Sequence, residues 1–264
     1  MRNPLTDQQR QSYHHNGFLF PISVLSDKEV AYFRSQHDAL DQGLGGKTTP
    51  QQKSQCHLRF KWASDLATHP AILDAVEAII GANILIHSST IFCKYARDES
   101  WVSWHQDSFY WGLSAPKLVS AWIALTDSTI DNGCLRVLKG TQSRRYQHTE
   151  KPQKHNMLGK GLTVFDQLNT DEAQDIVLAA GEMSFHHAHI VHSSQPNTSD
   201  QPRIGFAVRY VSTAVTQQKP HHNVILARGE DHYGHYQIQN KPTQTINEGL
   251  SAQNLYDGDP QRNY

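Results

Sequence analysis

The chain has 264 residues, a formal net charge of −1 at pH 7 and an apolar fraction of 38 %. A chain of this length can bury a substantial core as one domain. The balanced charge leaves no basic excess to neutralise phosphates, which excludes a typical nucleic-acid-binding protein. No run of about 18 apolar residues occurs, so no membrane-spanning helix is predicted.

The cysteines and the N-terminus bear on the cellular compartment. The N-terminal segment, MRNPLTDQQRQSYHHNG, has no apolar stretch behind its charges, which argues against a signal peptide. Cys56, Cys93 and Cys134 are widely spaced and odd in number. That pattern is typical of reduced thiols rather than of a disulfide framework. We therefore expect a cytoplasmic protein.

Helix signals dominate the N-terminal part of the chain. Ser26 and Glu29 have the spacing of a capping box, and apolar residues follow at helical intervals. A second helix is predicted between Pro70 and Gly81, because proline favours the first turn of a helix and glycine its end. Residues 43–57, which lie between the two helices, are rich in Gly, Thr and Gln and are interpreted as a mobile loop.

Strand patterns begin at about residue 83. Runs rich in Ile, Val, Phe, Trp and Tyr, separated by turn residues, occupy residues 84–95, 118–126, 133–138, 182–192 and 203–213. They predict a mainly β fold with flanking helices, a double-sheet jelly roll. We expect one domain over 1–264, with a helical part to about 82, a barrel over about 83–215 and a C-terminal extension over 216–264. The polar segment 140–177 is interpreted as a functional lid or an insertion.

The motif Trp104-His105-Gln106-Asp107 is the sharpest local feature. Residues i and i+2 of a strand point to one face, so His105 and Asp107 would present an imidazole and a carboxylate side by side. Other aromatic residues crowd the same stretch: Trp101, Phe109, Tyr110 and Trp111. A partly buried carboxylate in such surroundings needs a cation, and a metal ion would supply it. Taken alone, the motif also fits a surface His–Asp pair.

A distant histidine would complete the 2-His-1-carboxylate facial triad, which leaves coordination positions open for oxygen and a co-substrate. The segment GEMSFHHAHIVHSSQPN offers four candidates: His186, His187, His189 and His192. Periodicity does not choose among them. His192 stands directly before a turn-rich run, where the mouth of a barrel is expected.

The strand predicted at 203–213 alternates between two faces. Its even positions are apolar, whereas Arg203 and Arg209 stand on the other face, separated there by Gly205 and Ala207. Arginine binds carboxylates in a bidentate manner, so this face implies a cationic slot for an anionic co-substrate. The alternative is a pair of arginines on a solvent-exposed strand surface.

A similar pattern occurs in the strand predicted at 118–126. Ser120 and Ala124 flank Trp122 on one face, and the other face is apolar. An indole between small residues can cover a bound small molecule, and a core tryptophan is an equally good interpretation.

In their order along the chain, these residues resemble the phytanoyl-CoA dioxygenase family of iron(II)- and 2-oxoglutarate-dependent enzymes. The resemblance covers most of the chain. It includes the motif at 104–107, the sequence Asp131-Asn132-Gly133-Cys134-Leu135, and His192 followed by Pro196-Asn197 and, eleven residues after the histidine, by Arg203. It implies a double-stranded β-helix, a cupin-like jelly roll, with iron(II) as cofactor and 2-oxoglutarate and O2 as co-substrates.

The resemblance also implies roles for individual residues. By matched position, the iron ligands would be His105, Asp107 and His192. Arg203 would pair with the distal carboxylate of 2-oxoglutarate, with Trp122 and Ser194 near the same co-substrate. We expect the substrate to lie against three aromatic residues, under lids formed by residues 43–57 and 140–177: Phe109, Tyr110 and Trp111.

The stretch from Arg203 to Val211 is similar to the branch of that family that contains the aliphatic halogenases. In that branch a small residue replaces the carboxylate ligand, and a halide takes the vacated position. Asp107 departs from this pattern, whereas Arg209, near the halide or the co-substrate in that branch, is kept. The departure disfavours halogenation and favours hydroxylation of an unactivated C–H bond, with release of succinate and CO2.

Other functions stay open at this point. Desaturation or ring formation would use the same residues. A cofactor-free dioxygenase or an isomerase on the same barrel would not need Arg203, and a non-catalytic sensor could keep the fold and the metal. The expected partner is a small molecule, such as a free amino acid, a polar metabolite or a carrier-tethered acyl group, and neither a nucleic acid nor a membrane.

Overall fold

The computed structural model describes residues 5–218 and 223–251 of the chain. Four helices lie in its N-terminal part and a short one near its other end: α1 (Asp7–Asn16), α2 (Asp27–Gly43), α3 (Lys61–Ala67), α4 (Pro70–Ile80) and α5 (Ile246–Ser251). Among the described residues, no helix is long and apolar enough to cross a membrane.

The strands are short and numerous. In chain order they are β1 (Phe18–Ser23), β2 (Ile84–Lys94), β3 (Val102–His105), β4 (Leu118–Ala124), β5 (Leu135–Leu138), β6 (His148–Glu150), β7 (Leu162–Val164), β8 (Gln174–Ile176), β9 (Glu182–His186), β10 (Val191–Ser194), β11 (Arg203–Ser212), β12 (Asn223–Arg228) and β13 (Gln237–Ile238).

These strands form two main sheets. The large sheet has the order β1-β9-β4-β11-β2-β12-β13, the small sheet has the order β3-β10-β5-β8, and β6 and β7 form a separate hairpin. One face of the large sheet packs against the helices, since Leu40 of α2 and Ile72 of α4 share a core with Phe206 of β11. The other face packs against the small sheet, where Trp122 meets Val137. This double-sheet jelly roll with flanking helices confirms the predicted fold class.

The two predicted helices begin and end at the residues that signalled them. The Glu29 carboxylate accepts hydrogen bonds from the Ser26 backbone N–H and hydroxyl, both at 2.7 Å, as a capping box requires. Helix α4 starts at Pro70 and ends at Ile80, and the residue that follows it, Gly81, has a φ of 92° that few residues other than glycine adopt. Helices α1 and α3 were not predicted. Helix α1 buries only Tyr13, so it has almost no apolar periodicity to detect.

One predicted strand is wrong in a way that matters for the site. The run 182–192 is two strands, with β9 in the large sheet and β10 in the small sheet. Residues 187–190 carry the chain from one sheet to the other. His186 and His192 therefore lie on facing sheets, although the sequence pattern placed them on one strand.

Three other regions differ from what the sequence predicted. The large sheet continues past residue 215, because β12 pairs with β2. The segment 140–177 contains β6, β7 and β8, and β8 extends the small sheet. The segment 43–57 has no long helix or strand, but Lys53 and residues 55–57 are buried, so its C-terminal half is anchored in the fold.

Candidate metal centre

His105 and His192 stand directly opposite each other on the antiparallel pair β3–β10. Their ring centroids are 4.1 Å apart, and both side chains are buried. Each Nδ1 faces a backbone carbonyl, that of Ser103 at 2.9 Å and that of Ile190 at 3.0 Å. An Nδ1–H that donates to a carbonyl leaves the Nε2 lone pair free to bind a metal.

Asp107 reaches the same point from just beyond the strand. Strand β3 ends at His105, and Asp107 begins a 3-10 turn, so the expectation that both residues lie within one strand is wrong. Gln106 between them keeps an extended backbone, with φ −113° and ψ 126°, which preserves the alternation of side chains. The Gln106 side chain points away from Asp107 and donates to the backbone carbonyls of Arg144 and His189.

The three predicted ligands converge. Asp107 Oδ1 lies 3.4 Å from His105 Nε2 and 3.8 Å from His192 Nε2. With both Nδ1 atoms protonated, these three atoms all carry lone pairs, and they repel each other unless a cation lies between them. Two neutral imidazoles and one carboxylate are the donor set of non-haem iron(II) sites. The residues present therefore fit a divalent metal such as iron(II).

The electrostatics of the cluster agree with this donor set. Burial raises the pKa of Asp107, but the charge of Arg209 and the contacts with His105 and His186 outweigh burial and hold the pKa well below its usual value. Burial, followed by the proximity of His105, holds the pKa of His192 well below its usual value. The carboxylate is thus ionised and the imidazole neutral at pH 7, the forms in which both bind metals.

A cavity beside the cluster, here called the arginine cavity, holds the residues predicted to contact 2-oxoglutarate. Its lining includes Trp122, His192, Ser194, Arg203, Ala207 and Arg209. Arg203 is only 3 % exposed, its guanidinium lies 5.2 Å from the centre of the Trp122 ring, and its Nε has no hydrogen-bond partner among the described residues. Burial lowers the pKa of Arg203 to about 10, so the group stays charged at pH 7. A buried cation of this kind requires an anion.

Lys94 adds a second buried basic group next to Arg203, its partner in the β2–β11 register. The Lys94 amino group donates to Ser194 Oγ at 2.7 Å and also to the Gln195 carbonyl. Burial, followed by the charge of Arg203, lowers the pKa of Lys94 to about 6. A carboxylate bound nearby would favour the charged form, so this end of the arginine cavity fits one end of a dicarboxylate such as 2-oxoglutarate.

A second cavity, here called the loop cavity, also borders the cluster and shares His105 and Arg209 with the arginine cavity. His105 and Arg209 line it from the sheets, and Asp107 and Trp111 line it from the 3-10 turn after β3. Two loops complete its wall, through Pro50, Gln51, Ser54 and Gln55 and through Met157, Leu158, Lys160 and Leu162. Both segments predicted as lids therefore border this cavity.

The three aromatic residues predicted to contact substrate have different surroundings. Trp111 is buried and lines the loop cavity, with its ring 5.7 Å from that of His87. Phe109 is 49 % exposed, lies against the ring of His148 and does not line the loop cavity. The side chain of Tyr110 lies outside the described part of the structure.

A second group of potential metal ligands occurs near helix α2. His37, Asp41 and Cys93 place their ligand atoms within 4.8 Å of one another. The Lys53 ammonium occupies this group, 3.0 Å from Asp41 Oδ1 and 3.1 Å from His37 Nε2. The ammonium of Lys53 therefore takes the place of a metal ion, and this cluster is an internal ion pair.

Comparison with known proteins resolves the family. The family model for phytanoyl-CoA dioxygenase (PhyH) matches residues 13–205, which cover most of the chain and all the residues of the metal cluster. The chain belongs to the phytanoyl-CoA dioxygenase family. This family member is therefore an iron(II)- and 2-oxoglutarate-dependent hydroxylase that uses O2.

Relatives of this family member span bacteria and animals. An L-proline trans-4-hydroxylase from Streptomyces griseoviridis is 25 % identical over 242 residues, which cover 82 % of this chain and 90 % of that protein. The peroxisomal phytanoyl-CoA dioxygenase of Bos taurus is 27 % identical over 223 residues, covering 75 % and 66 % of the two chains. The solved structure of apo ThoJ, a non-heme monooxygenase, has a TM-score of 0.81 and 28 % identity, covering 96 % of this chain and 95 % of that one.

In the family member, three polar residues lie at the site in roles that the sequence did not predict: Lys94, Ser120 and His186. Lys94 had a detectable signal, since it is the one charged residue in the run Ile84–Lys94. Ser120 was expected only beside Trp122, and His186 only as one of four candidate ligands. Their approach to Asp107 depends on how distant strands pair, which no local pattern shows. His187 and His189 face each other, with ring centroids 5.2 Å apart, and neither lines the arginine cavity.

Proposed function

We propose that His105, Asp107 and His192 hold iron(II) and that Arg203 anchors 2-oxoglutarate beside it, for hydroxylation of a C–H bond of a small molecule in the loop cavity. The observation that carries this proposal is the convergence of three metal-binding lone pairs beside a cavity that contains a buried arginine without a carboxylate partner among the described residues. Bound iron(II) would supply activation of O2, coupled to oxidation of 2-oxoglutarate to succinate and CO2.

The residues around the metal supply position and polarity. Arg203 neutralises the distal carboxylate of 2-oxoglutarate, and the Ser194 hydroxyl donates to it. Lys94 donates to Ser194 Oγ, so the hydroxyl proton of Ser194 is left free for the co-substrate. Trp122 covers the same end of the arginine cavity and keeps water from the buried charges.

The loop cavity offers the substrate a site next to Asp107. This site is separate from the end of the arginine cavity that would hold 2-oxoglutarate. Its lining mixes apolar groups with amides and hydroxyls, and Asp107 is the one carboxylate among the lining residues. We infer a small-molecule substrate, such as an amino acid, a polar metabolite or a carrier-tethered acyl group, held between Trp111 and the two loops.

Two broader inferences complete the proposal. The three cysteines are buried and free, which supports a cytoplasmic location. Strands from both sides of the predicted boundary at residue 215 share the large sheet, which supports a single oxygenase domain.

The first test is oxygen-dependent formation of succinate from 2-oxoglutarate by the iron-loaded protein. In Arg203→Leu we expect the apparent affinity for 2-oxoglutarate to fall about 30-fold or more, since loss of a buried charged pair costs about 2–5 kcal/mol. Iron binding, measured by calorimetry, should persist in this variant because Arg203 is not among the ligands.

Arg97→Leu is the matched control, because Arg97 pairs with Asp200 on the surface, where its side chain is 65 % exposed. It should leave the apparent affinity for 2-oxoglutarate unchanged. An unchanged affinity in Arg203→Leu would place the distal carboxylate elsewhere, with Arg209 the next candidate. Absence of oxygen-dependent succinate from the wild-type protein would refute the proposed function as a whole.

A further inference from the structure

The two oxygens of the Asp107 carboxylate have different surroundings. Oδ1 faces the Nε2 atoms of His105 and His192 at 3.4 and 3.8 Å. Oδ2 faces the large sheet. One carboxylate thus connects the metal cluster to a second group of polar side chains, none of which belongs to the three ligands proposed above.

Three side chains surround Oδ2. The Ser120 hydroxyl donates to it at 3.2 Å, while His186 Nε2 and Arg209 Nε each lie 3.6 Å away. Neither ring nitrogen of His186 reaches a hydrogen-bond partner among the described residues, although the side chain is only 3 % exposed. Oδ2 is the acceptor in front of His186 Nε2, and a shift of a few tenths of an ångström would make the contact a hydrogen bond.

The pairing of the strands explains how these side chains meet. Ser120 of β4 is the register partner of His186 on β9 and of Arg209 on β11. The three residues therefore form one row across the large sheet. That row faces the opposed pair His105 and His192 of the small sheet, and Asp107 lies between the two.

We propose that Ser120, His186 and Arg209 form a clamp on Oδ2 that restricts Asp107 to binding the metal through Oδ1 alone. The clamp rests on the proposed function, because it acts on a proposed iron ligand. Turning Oδ2 toward the metal, for chelation by both oxygens, would break the contacts with a hydroxyl, an imidazole and a guanidinium at once. The clamp thereby keeps one coordination position available for a co-substrate.

His186 is the member of the clamp that discriminates best between a positioning role and a ligand role. A ligand would direct a nitrogen lone pair at the metal, whereas a positioning residue donates an N–H to the carboxylate. The atoms that lie within 4.8 Å of one another belong to His105, Asp107 and His192 and do not include one from His186. The geometry thus assigns His186 to the carboxylate.

Cobalt(II) binding to the otherwise unmodified protein tests the clamp without any turnover. Calorimetry gives the dissociation constant, and the visible absorption of bound cobalt(II) reports its coordination number. His186→Phe keeps a ring of similar size and removes the donor, so we expect affinity for cobalt(II) to fall about 10- to 100-fold, as for other residues that orient metal ligands. The absorption should change as well, because Asp107 becomes free to chelate through both oxygens.

Conservative and control variants separate this role from a general effect on folding. His186→Gln restores an N–H donor and should recover most of the affinity and the wild-type spectrum. His187→Phe is the matched control, since it makes the same change one residue further along the chain, and it should leave both readouts unchanged. Ser120→Ala removes only the hydroxyl that donates to Asp107 Oδ2, and it should also weaken cobalt(II) binding. This variant tests the clamp if His186→Phe does not fold.

Wild-type affinity and spectrum in His186→Phe and Ser120→Ala would overturn the clamp. So would a loss of binding in His186→Phe as complete as in His192→Ala and not relieved by His186→Gln, because His186 would then be a ligand. A wild-type protein that does not bind cobalt(II), or a His105→Ala variant that binds it undiminished, would refute the proposed metal site itself.

Discussion

Asp107 bears on whether the substrate is hydroxylated or halogenated. In the proposed site its carboxylate would supply the third protein ligand, and 2-oxoglutarate and O2 would take the positions that the three ligands leave. No position remains for a halide. Reactions of the wild-type protein in excess chloride or bromide should therefore give no halogenated product, as judged by mass spectrometry.

Asp107→Gly opens a position, and Arg209, which faces Oδ2 in the wild type, would then face a bound halide. The same change removes one of the three proposed metal ligands. We expect this variant to be mostly inactive, with traces of halogenated product at most. A chlorinated product from the unmodified protein would contradict the argument from the carboxylate.

The Trp122 ring leaves no room for a side chain at Gly205. A Cβ atom at position 205 would lie 1.8 Å from Trp122 Cζ2, so any side chain there must displace the indole that lies against Arg203. Overpacking of this kind costs about 1–3 kcal/mol. In Gly205→Ala we expect the free energy of unfolding to fall by this amount and the KM for 2-oxoglutarate to rise, because the displaced indole no longer lies against Arg203.

The double variant Gly205→Ala/Trp122→Phe provides the control. The smaller phenyl ring makes room for the new methyl group, so the KM should fall back toward that of Trp122→Phe alone. Steady-state assays of succinate formation measure both changes in KM. A KM in Gly205→Ala equal to that of the wild type would mean that the indole can move without disturbing the co-substrate.

The segment before helix α3 shows how a loop can border a cavity and still be fixed in place. Thr48 and Lys53 of this segment are buried, and Lys53 pairs with Asp41 of helix α2. Asp41 also accepts from the Tyr95 hydroxyl at 2.7 Å. Gln51 and Gln55, on either side of Lys53, line the loop cavity. The ion pair therefore positions the wall of that cavity.

Lys53→Met should lower the free energy of unfolding by about 3–5 kcal/mol, because removal of one partner leaves a charge buried without compensation. Chemical denaturation measures this, and Lys28→Met, at an exposed position of helix α2, should shift it by about 0.5 kcal/mol or less. Burial raises the pKa of Asp41, but Lys53 and His37 outweigh burial and lower it. The stabilisation is thus present at neutral pH and lost as the pH falls through the lowered pKa. An equally stable Lys53→Met would rule out this anchoring role.

At the scale of the whole molecule, sequence patterns over a few residues predicted most of the local structure. The β-rich fold, the caps of helices α2 and α4, the proximity of His105 and Asp107, and the shared face of Arg203 and Arg209 follow from spacing over a few residues. His192 came from the family resemblance, since periodicity left four histidines equivalent. The chain crosses between sheets at 187–190, and no alternation pattern marks that crossing.

The parts that were missed depend on which strands become neighbours. Ser120 and His186 are 66 positions apart in the sequence and opposite each other in the sheet. Lys53 and Asp41 are brought together by a loop whose composition indicated mobility. Phe109 carried an aromatic signal but lies on the surface against His148, because the 3-10 turn after Gln106 changes the direction of the side chains that follow.

Because the register between β3 and β10 brings His105 and His192 together, each molecule has either the complete site or none. His105 and His192 are direct partners in this pair, and successive side chains of a strand point to opposite faces. A slip of one residue would turn His192 away and present Val191 or Ser193 instead, which cannot bind the metal. Damage to this pairing should therefore appear in titrations as fewer metal ions bound per chain, with the dissociation constant of the intact fraction unchanged.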